Sequence, residues 1–203
     1  MKLYGITGKK GHGKDTFARL IVAADETFVI THFAKALKQM IPRIFGITAN
    51  QLNDPDLKEV PLASPIEIDS FLSAMRSETG LNIQPAGRIA RSPREIMQLF
   101  ATEYVRKAQW DYWVQRLIAD ISTCERVLIA DVRFPNEEKA IREAGGKIIK
   151  IVKIDAPLVF DGHASETEID KIEPDLLVGV KAGDLHTLQQ IANLVAKDHL
   201  LQL

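Results

Sequence analysis

Gly8-Lys9-Lys10-Gly11-His12-Gly13-Lys14-Asp15-Thr16 is the stretch on which the reading of this chain turns. A short apolar run, Leu3-Tyr4-Gly5-Ile6-Thr7, precedes it, and afterwards Phe17, Leu20, Ile21 and Ala24 fall at i, i+3, i+4 and i+7. That order is strand, glycine-rich turn, amphipathic helix. The spacing is G-x-x-x-x-G-K, the phosphate-cradling loop. In such a loop, backbone N–H groups turn inward around phosphate oxygens and the following helix points its positive end at them. Gly11 and Gly13 allow that turn, His12 holds a position that tolerates many side chains, and Lys14 brings a mobile charge to the β/γ-phosphates. The plain alternative is an ordinary Gly/Lys turn between a strand and a helix. One residue departs from the pattern. Asp15 stands where a Ser or Thr hydroxyl normally serves Mg²⁺, with Thr16 one place later. A carboxylate there suits the helix dipole but repels a phosphate unless a metal ion or water lies between them.

Outside the loop, bulk composition narrows the class. The 203 residues make one domain by length, with room for a sub-region. With 46% hydrophobic and 26% charged residues, the chain has enough apolar material for a core. A net charge of −1 argues against a nucleic-acid or anionic-membrane partner. One cysteine, Cys124, excludes an intrachain disulfide and points to a reducing compartment. No apolar run approaches the ~20 residues of a membrane span, and the N-terminus lacks a signal-peptide pattern. A cytoplasmic protein is the expectation, and a homodimer is left open.

Thr27 to Thr31 reads as a second strand, followed by a helix with Phe33, Leu37 and Met40/Ile41 on one face. Lys35 and Lys38 start that helix at the carboxyl end of the strand, where open parallel sheets bind ligands; solvated surface lysines are the alternative. From about Gly46 to Arg91–Ser92 the texture changes to Pro-punctuated, Asn/Asp/Ser-rich sequence, read as a substrate-binding insertion. Within it Ser64-Pro65-Ile66-Glu67 has the form of a capping box opening a short helix. A second box, Ser92-Pro93-Arg94-Glu95, opens a longer helix with Ile96, Leu99, Phe100 and Tyr104 as its apolar stripe. Trp113, Val114, Leu117, Ile118 and Ile121 mark the next, and Trp110 and Trp113 read as packing residues rather than stacking platforms.

Val127 to Ala130 is a continuous apolar run, as in a strand covered on both faces, ending in Asp131-Val132-Arg133. Asp131 is at the position from which a carboxylate holds Mg²⁺ directly or through water, and Arg133 can fork onto phosphate oxygens. The alternative is a plain turn; Asn136 reads as the cap of the next helix. Lys147 to Ile154 is a further strand, and about 155–174 a lid-like loop with His163, Ser165, Glu166 and Glu168. Asp175 to Val180 is the last strand. The alternation implies an α/β sandwich around a mainly parallel sheet.

Two phosphate-binding elements at strand ends, with two long loops, describe phosphoryl transfer between bound phosphate compounds. Beyond Lys14, cations stand at Lys10, Lys38, Arg91, Arg94 and Arg133. No nucleophilic triad or zinc spacing is discernible, and G-x-G-x-x-G is absent, which disfavours a dinucleotide oxidoreductase.

The loop with Asp after its lysine resembles that of phage-type deoxynucleoside monophosphate kinases. Phe33-Ala34-Lys35-Ala36-Leu37-Lys38, Arg94-Glu95-Ile96-Met97-Gln98-Leu99, Trp113-Val114 and Asp131-Val132-Arg133 look like further landmarks in order. The resemblance implies a P-loop NTPase-type α/β/α sandwich with a five-stranded sheet, and transfer of the γ-phosphate of ATP to a deoxynucleoside 5′-monophosphate. It implies that Gly11, His12, Gly13, Lys14, Asp15 and Thr16 hold ATP, and that Asp131, with Thr16 and Asp15, organises Mg²⁺. Lys10 would lie between donor and acceptor, while Phe33, Lys38, Arg91, Arg94 and Arg133 would serve the acceptor. The 155–174 loop has no arginine, whereas adenylate-kinase lids close with arginines. Phosphomevalonate and dephospho-coenzyme A kinases have similar loops, so another phosphorylated acceptor stays open. A nucleotide-hydrolysing switch is the reading from another class.

Overall fold

β1 (Lys2–Thr7) is the middle strand of a five-stranded sheet in the computed structural model, which describes residues 1–155 and 167–197. Its neighbours are β5 (Arg126–Val132) and β6 (Lys147–Lys153); β2 (Val29–Thr31) pairs with β5 and β7 (Leu176–Val180) with β6. All four pairings are parallel, in the order β2-β5-β1-β6-β7. Strands buried on both faces need no alternation, which is why Val127 to Ala130 and Ile148-Ile149 read as apolar runs and are buried throughout.

Helices cover both faces. α1 (Lys14–Ala24) and the C-terminal helix α8 (Leu185–Ala196) lie on one, where Phe17, Ala18, Ile21, Leu188, Ala192 and Val195 join Tyr4, Ile6, Leu128, Ile149 and Val178 in one core. α7 (Pro135–Glu143) lies on the other, so close that a Cβ on Gly5 would stand 2.6 Å from Cδ1 of Ile141. The result is a three-layer α/β/α sandwich of the P-loop NTPase kind.

By its contacts the chain divides into two compact units, Met1–Phe33 with Ile118–Leu203, and Ala34–Leu117. The second unit has its own core, in which Phe71, Phe45, Phe100, Trp113 and Tyr112 follow one another at ring separations of 5.0, 5.7, 6.1 and 4.9 Å. It is built from α2 (Ala34–Phe45), α3 (Ala49–Asn53), a two-stranded antiparallel ribbon β3 (Ile66–Glu67) with β4 (Ile89–Ala90), α4 (Leu72–Thr79) and α5 (Pro93–Gln98). α5 continues as a π-helical segment, Leu99–Arg106, and α6 (Tyr112–Ile121) follows.

Several local expectations change. Ser64-Pro65-Ile66-Glu67 does not open a helix: Ile66–Glu67 pairs with Ile89–Ala90, and helical structure starts only at Ile68. Strand pairing to a distant segment outweighed a local cap. The box at Ser92 does form, its Oγ accepting from Glu95 N–H at 3.2 Å, although Glu95 reaches back to Arg91 N–H rather than to the cap itself. Asn136 is not a cap, because Pro135 is the first helical residue. Trp113 is core, its indole N–H donating to the Ala101 carbonyl, but Trp110 is 49% exposed beside the Arg106 guanidinium.

Candidate phosphate-binding site

At the carboxyl end of β1 the chain turns through Gly8, whose φ is +142°. A Cβ there would lie 2.4 Å from the Ile151 carbonyl oxygen, so only glycine lets the loop begin this close to β6. The loop closes on a turn in which His12 N–H donates to the Lys9 carbonyl at 3.2 Å. Gly13, at φ 91° and ψ 16°, is the N-cap of α1 and has no side chain to cap with. No side-chain hydrogen bond caps this end of α1, and the first turn of a helix so begun is where anions commonly bind. Lys14, only 8% exposed, folds back so that Nζ donates to the carbonyls of Gly8 at 2.6 Å and Lys9 at 3.0 Å.

His12 ties the loop to β6: the Lys153 N–H lies 3.4 Å from its Nδ1. Burial pushes its pKa down, with Lys14, Lys153 and Lys9 adding to that and a hydrogen bond with the Ile151 backbone opposing it. Lys9 pairs with Asp170 at 3.2 Å on the surface, and Lys10 is exposed. Thr16 is half-buried in the first turn of α1, while Asp15 is largely exposed with Oδ1 3.4 Å from Nε2 of His32. That hydrogen bond is the chief reason the Asp15 carboxyl titrates below its ordinary range.

Asp131 is aimed by an irregularity in the sheet. Gly5 pairs with Ile129 but Thr7 pairs with Val132, so three steps along β5 match two along β1. The extra residue is a β-bulge, a device that re-aims side chains at strand ends. Past the bulge, Asp131 Oδ1 accepts the Phe33 N–H at 2.7 Å, at the end of β2. The hydroxyls of Thr7 and Thr31, buried at the ends of the two strands flanking β5, have no hydrogen-bond partner among the described residues. Phe33 itself, expected to serve the acceptor, has its ring buried.

Arg133 leaves the sheet two residues later. The turn that presents it is held by Glu137, a residue that sequence reasoning passed over. Glu137 is 2% exposed and accepts from the N–H groups of Arg133 at 2.8 Å and Phe134 at 3.2 Å. The signal was available: a proline at the first helical position with Glu two residues on is a helix start whose N3 acid caps backward.

The remaining expected residues lie in the second unit. Lys38 Nζ donates to Asn53 Oδ1 at 2.9 Å, Arg94 pairs with Glu59, and Arg91 is exposed. Asp69 gathers this unit's loop: it accepts the Tyr104 hydroxyl at 2.6 Å and the N–H groups of Ala86 at 3.1 Å and Gly87 at 2.9 Å. Burial first, and then Asp69, push the Tyr104 phenol up to about 12. His163, Ser165 and Glu166 of the lid-like loop lie outside the described residues.

A family model, deoxynucleotide monophosphate kinase, matches residues 78–191. The chain belongs to that family. The match takes in Arg91, Arg94, Asp131 and Arg133 but not the glycine loop. A protein of Acanthamoeba polyphaga mimivirus, named as a candidate deoxynucleotide monophosphate kinase, is 28% identical over 193 residues, covering 85% of this chain and 84% of that protein. Among the described residues no helix is long and apolar enough to cross a membrane, and no group of three or more His, Cys, Asp or Glu could hold a metal ion unaided.

Proposed function

We propose that the protein transfers the γ-phosphoryl group of ATP to a deoxynucleoside 5′-monophosphate. An acceptor phosphate oxygen forms the new P–O bond, the bond from the γ-phosphorus to the β–γ bridging oxygen breaks, and ADP leaves with that electron pair. The observation that carries the reading is the uncapped start of α1 behind a glycine loop, with Lys14 folded over it. Family membership supports a kinase acting on deoxynucleotide monophosphates.

Charge sets the problem. A phosphomonoester carries about −1.5 to −2 near neutral pH, and bringing it to a triphosphate needs fixed cations. Gly11, His12, Gly13, Lys14 and Thr16 would hold the donor phosphates. No atom of the described residues lies within 4 Å of the Cβ positions of Gly11 and Gly13, which suits a cradle that a side chain would fill. Lys10 and Arg133 would sit on the developing charge, and Lys38, Arg91 and Arg94 on the acceptor.

Mg²⁺ fits this donor set. It takes hard oxygen ligands, keeps several waters and needs only one or two carboxylates beside the substrate phosphates. Asp131, Thr16 and Asp15 supply such oxygens, and the orphan hydroxyls of Thr7 and Thr31 make the strand ends polar. Bound there, the ion would screen phosphate charge. Asp131 would hold its position through the Phe33 N–H, so its carboxylate is oriented before any ligand arrives.

A coupled assay of ADP release with each of the four common deoxynucleoside monophosphates tests the proposal. Acceptor-dependent turnover with at least one is expected. ATP turnover that ignores the acceptor would favour a hydrolytic switch, and turnover only with another phosphorylated metabolite would move the specificity elsewhere.

A further inference from the structure

The proposed function counts Asp15 among the oxygens for Mg²⁺ but does not say what keeps its charge off the phosphates. Asp15 is the second residue of α1, next to the uncapped N-terminus, with its side chain 71% exposed. A carboxylate in a first turn is drawn to the same orphan N–H groups that a phosphate would use. Left to itself it would compete for the cradle, and with nucleotide bound it would repel the phosphates.

His32 faces that carboxylate. An ionised carboxylate only accepts, so at 3.4 Å the proton must lie on Nε2, which donates to Asp15 Oδ1. The imidazole is itself well placed to hold still. Thr31, one residue before, is paired to Ile129 in the sheet, and Phe33, one residue after, donates its N–H to Asp131. Two successive residues at the end of β2 therefore fix the two acids of the site, one through a side chain and one through the backbone. Lys14 and Arg19 are the other charges facing Asp15.

We propose that His32 is a positioning residue that holds the Asp15 carboxylate toward β2 and off the phosphate cradle, so that an acid at this position is compatible with a bound nucleoside triphosphate. The inference rests on the reading of the loop as an ATP site. It assigns His32 a role that exists only because of Asp15, which makes the two residues energetically coupled.

The test is a double-mutant cycle read by calorimetric titration of ATP, with and without Mg²⁺ and without any acceptor. His32→Ala should weaken ATP binding about tenfold in both conditions, within the range of coupling measured for residues in contact. His32→Gln, which restores an N–H donor, should recover most of that loss. In the Asp15→Ser background, His32→Ala should change binding less than twofold. In the steady state the loss should fall on the KM for ATP more than on kcat. Thermal melts of the five proteins establish that each is folded, and His32→Leu, which also lacks an N–H donor, against Asp15→Ser, His32→Leu provides the same comparison if the alanine variant is not. An equal loss in the Asp15→Ser background, or none in either, overturns the inference while leaving the ATP site standing. Failure of the wild-type protein to bind ATP overturns the site and the inference together.

Discussion

Gly8→Ala and Gly13→Ala are the same chemical change five residues apart, yet the structure predicts opposite rankings in two assays. At Gly8 the added Cβ would meet the Ile151 carbonyl oxygen at 2.4 Å, with φ at +142°. A strained φ costs about 1–3 kcal/mol. The clash with a backbone atom, which no rotamer can relieve, adds about as much again by analogy with overpacked cores. A total near 3 kcal/mol or more is a large share of the ~5–15 kcal/mol that holds a protein folded. At roughly 2–4 °C per kcal/mol for a chain of this size, melting should fall by about 10 °C. At Gly13 the Cβ meets nothing within 4 Å among the described residues, so only the left-handed φ of +91° is charged, about 1–2 kcal/mol. That Cβ, however, projects at the start of α1, where a phosphate would lie. Circular-dichroism melts should therefore rank Gly8→Ala as the more damaged, by about 5 °C or more. ATP titration should still show about a tenfold loss for Gly13→Ala, the scale of one lost hydrogen bond to a charged group. A Gly8→Ala protein melting within 2 °C of wild type, or a Gly13→Ala protein binding ATP normally, would refute the geometry from which both numbers come.

Lys14→Ala should lower turnover by about 10²–10³, the scale for losing one charge contact to the transition state, with folding little changed; near-normal activity would overturn the site assignment. Arg133→Ala should reduce acceptor-dependent turnover more than ATP binding, and equal loss of both would move Arg133 to the donor side. Tyr104→Phe removes the hydroxyl that donates to Asp69 and should destabilise the protein by about 1–3 kcal/mol in urea titration, whereas no change would mean that the Ala86 and Gly87 N–H groups suffice for Asp69. His12 titrates below its ordinary value when folded, so the unfolded chain takes up its proton first as pH falls. Its contribution is complete above about pH 6.5 and is lost as pH drops from there through the folded value. Melts from pH 7 to 5 should show that loss, and His12→Gln should flatten it; a profile unchanged by the substitution would count against the burial argument.

What was legible in the chain is what local chemistry controls. A strand that ends in glycines before Lys14, and buried strands that need no polar alternation, announce themselves in a dozen residues each. The parallel sheet follows from their spacing, since parallel neighbours need a crossover. The second unit was harder because its decisive contacts are remote. Ser64 to Glu67 satisfied every rule for a helix start and became a strand because Ile89–Ala90 lay opposite. Tyr104 fitted an apolar stripe, and nothing local to it names Asp69 as the partner of its hydroxyl. The π-helical stretch over Leu99–Arg106 widens the turn, and the stripe expected at Ile96, Leu99, Phe100 and Tyr104 is accordingly buried at Ile96, Phe100, Tyr104 and Val105, with Leu99 only half-covered.

Asp131 shows most clearly where such reading stops. An acid at the end of an apolar run is visible in the sequence, but its aim is not, because side chains alternate along a strand and one extra residue reverses them. Here Ala130 still belongs to the core shared with α1 and α8, whereas Val132 stands beside the Cβ position of Gly5, 2.9 Å away on the α7 face. In an unbroken strand those two residues, two apart, would share a face. The bulge between Gly5 and Thr7 on the paired strand is what separates them, and Asp131 is the residue at the break. Its carboxylate then meets the N–H of Phe33, whose neighbour His32 holds Asp15. The placement of both acids thus passes through the end of β2, a three-residue strand with no motif of its own. A substitution that lengthened the regular pairing of β5 should disturb both at once, while one that altered either acid alone should leave the other in place.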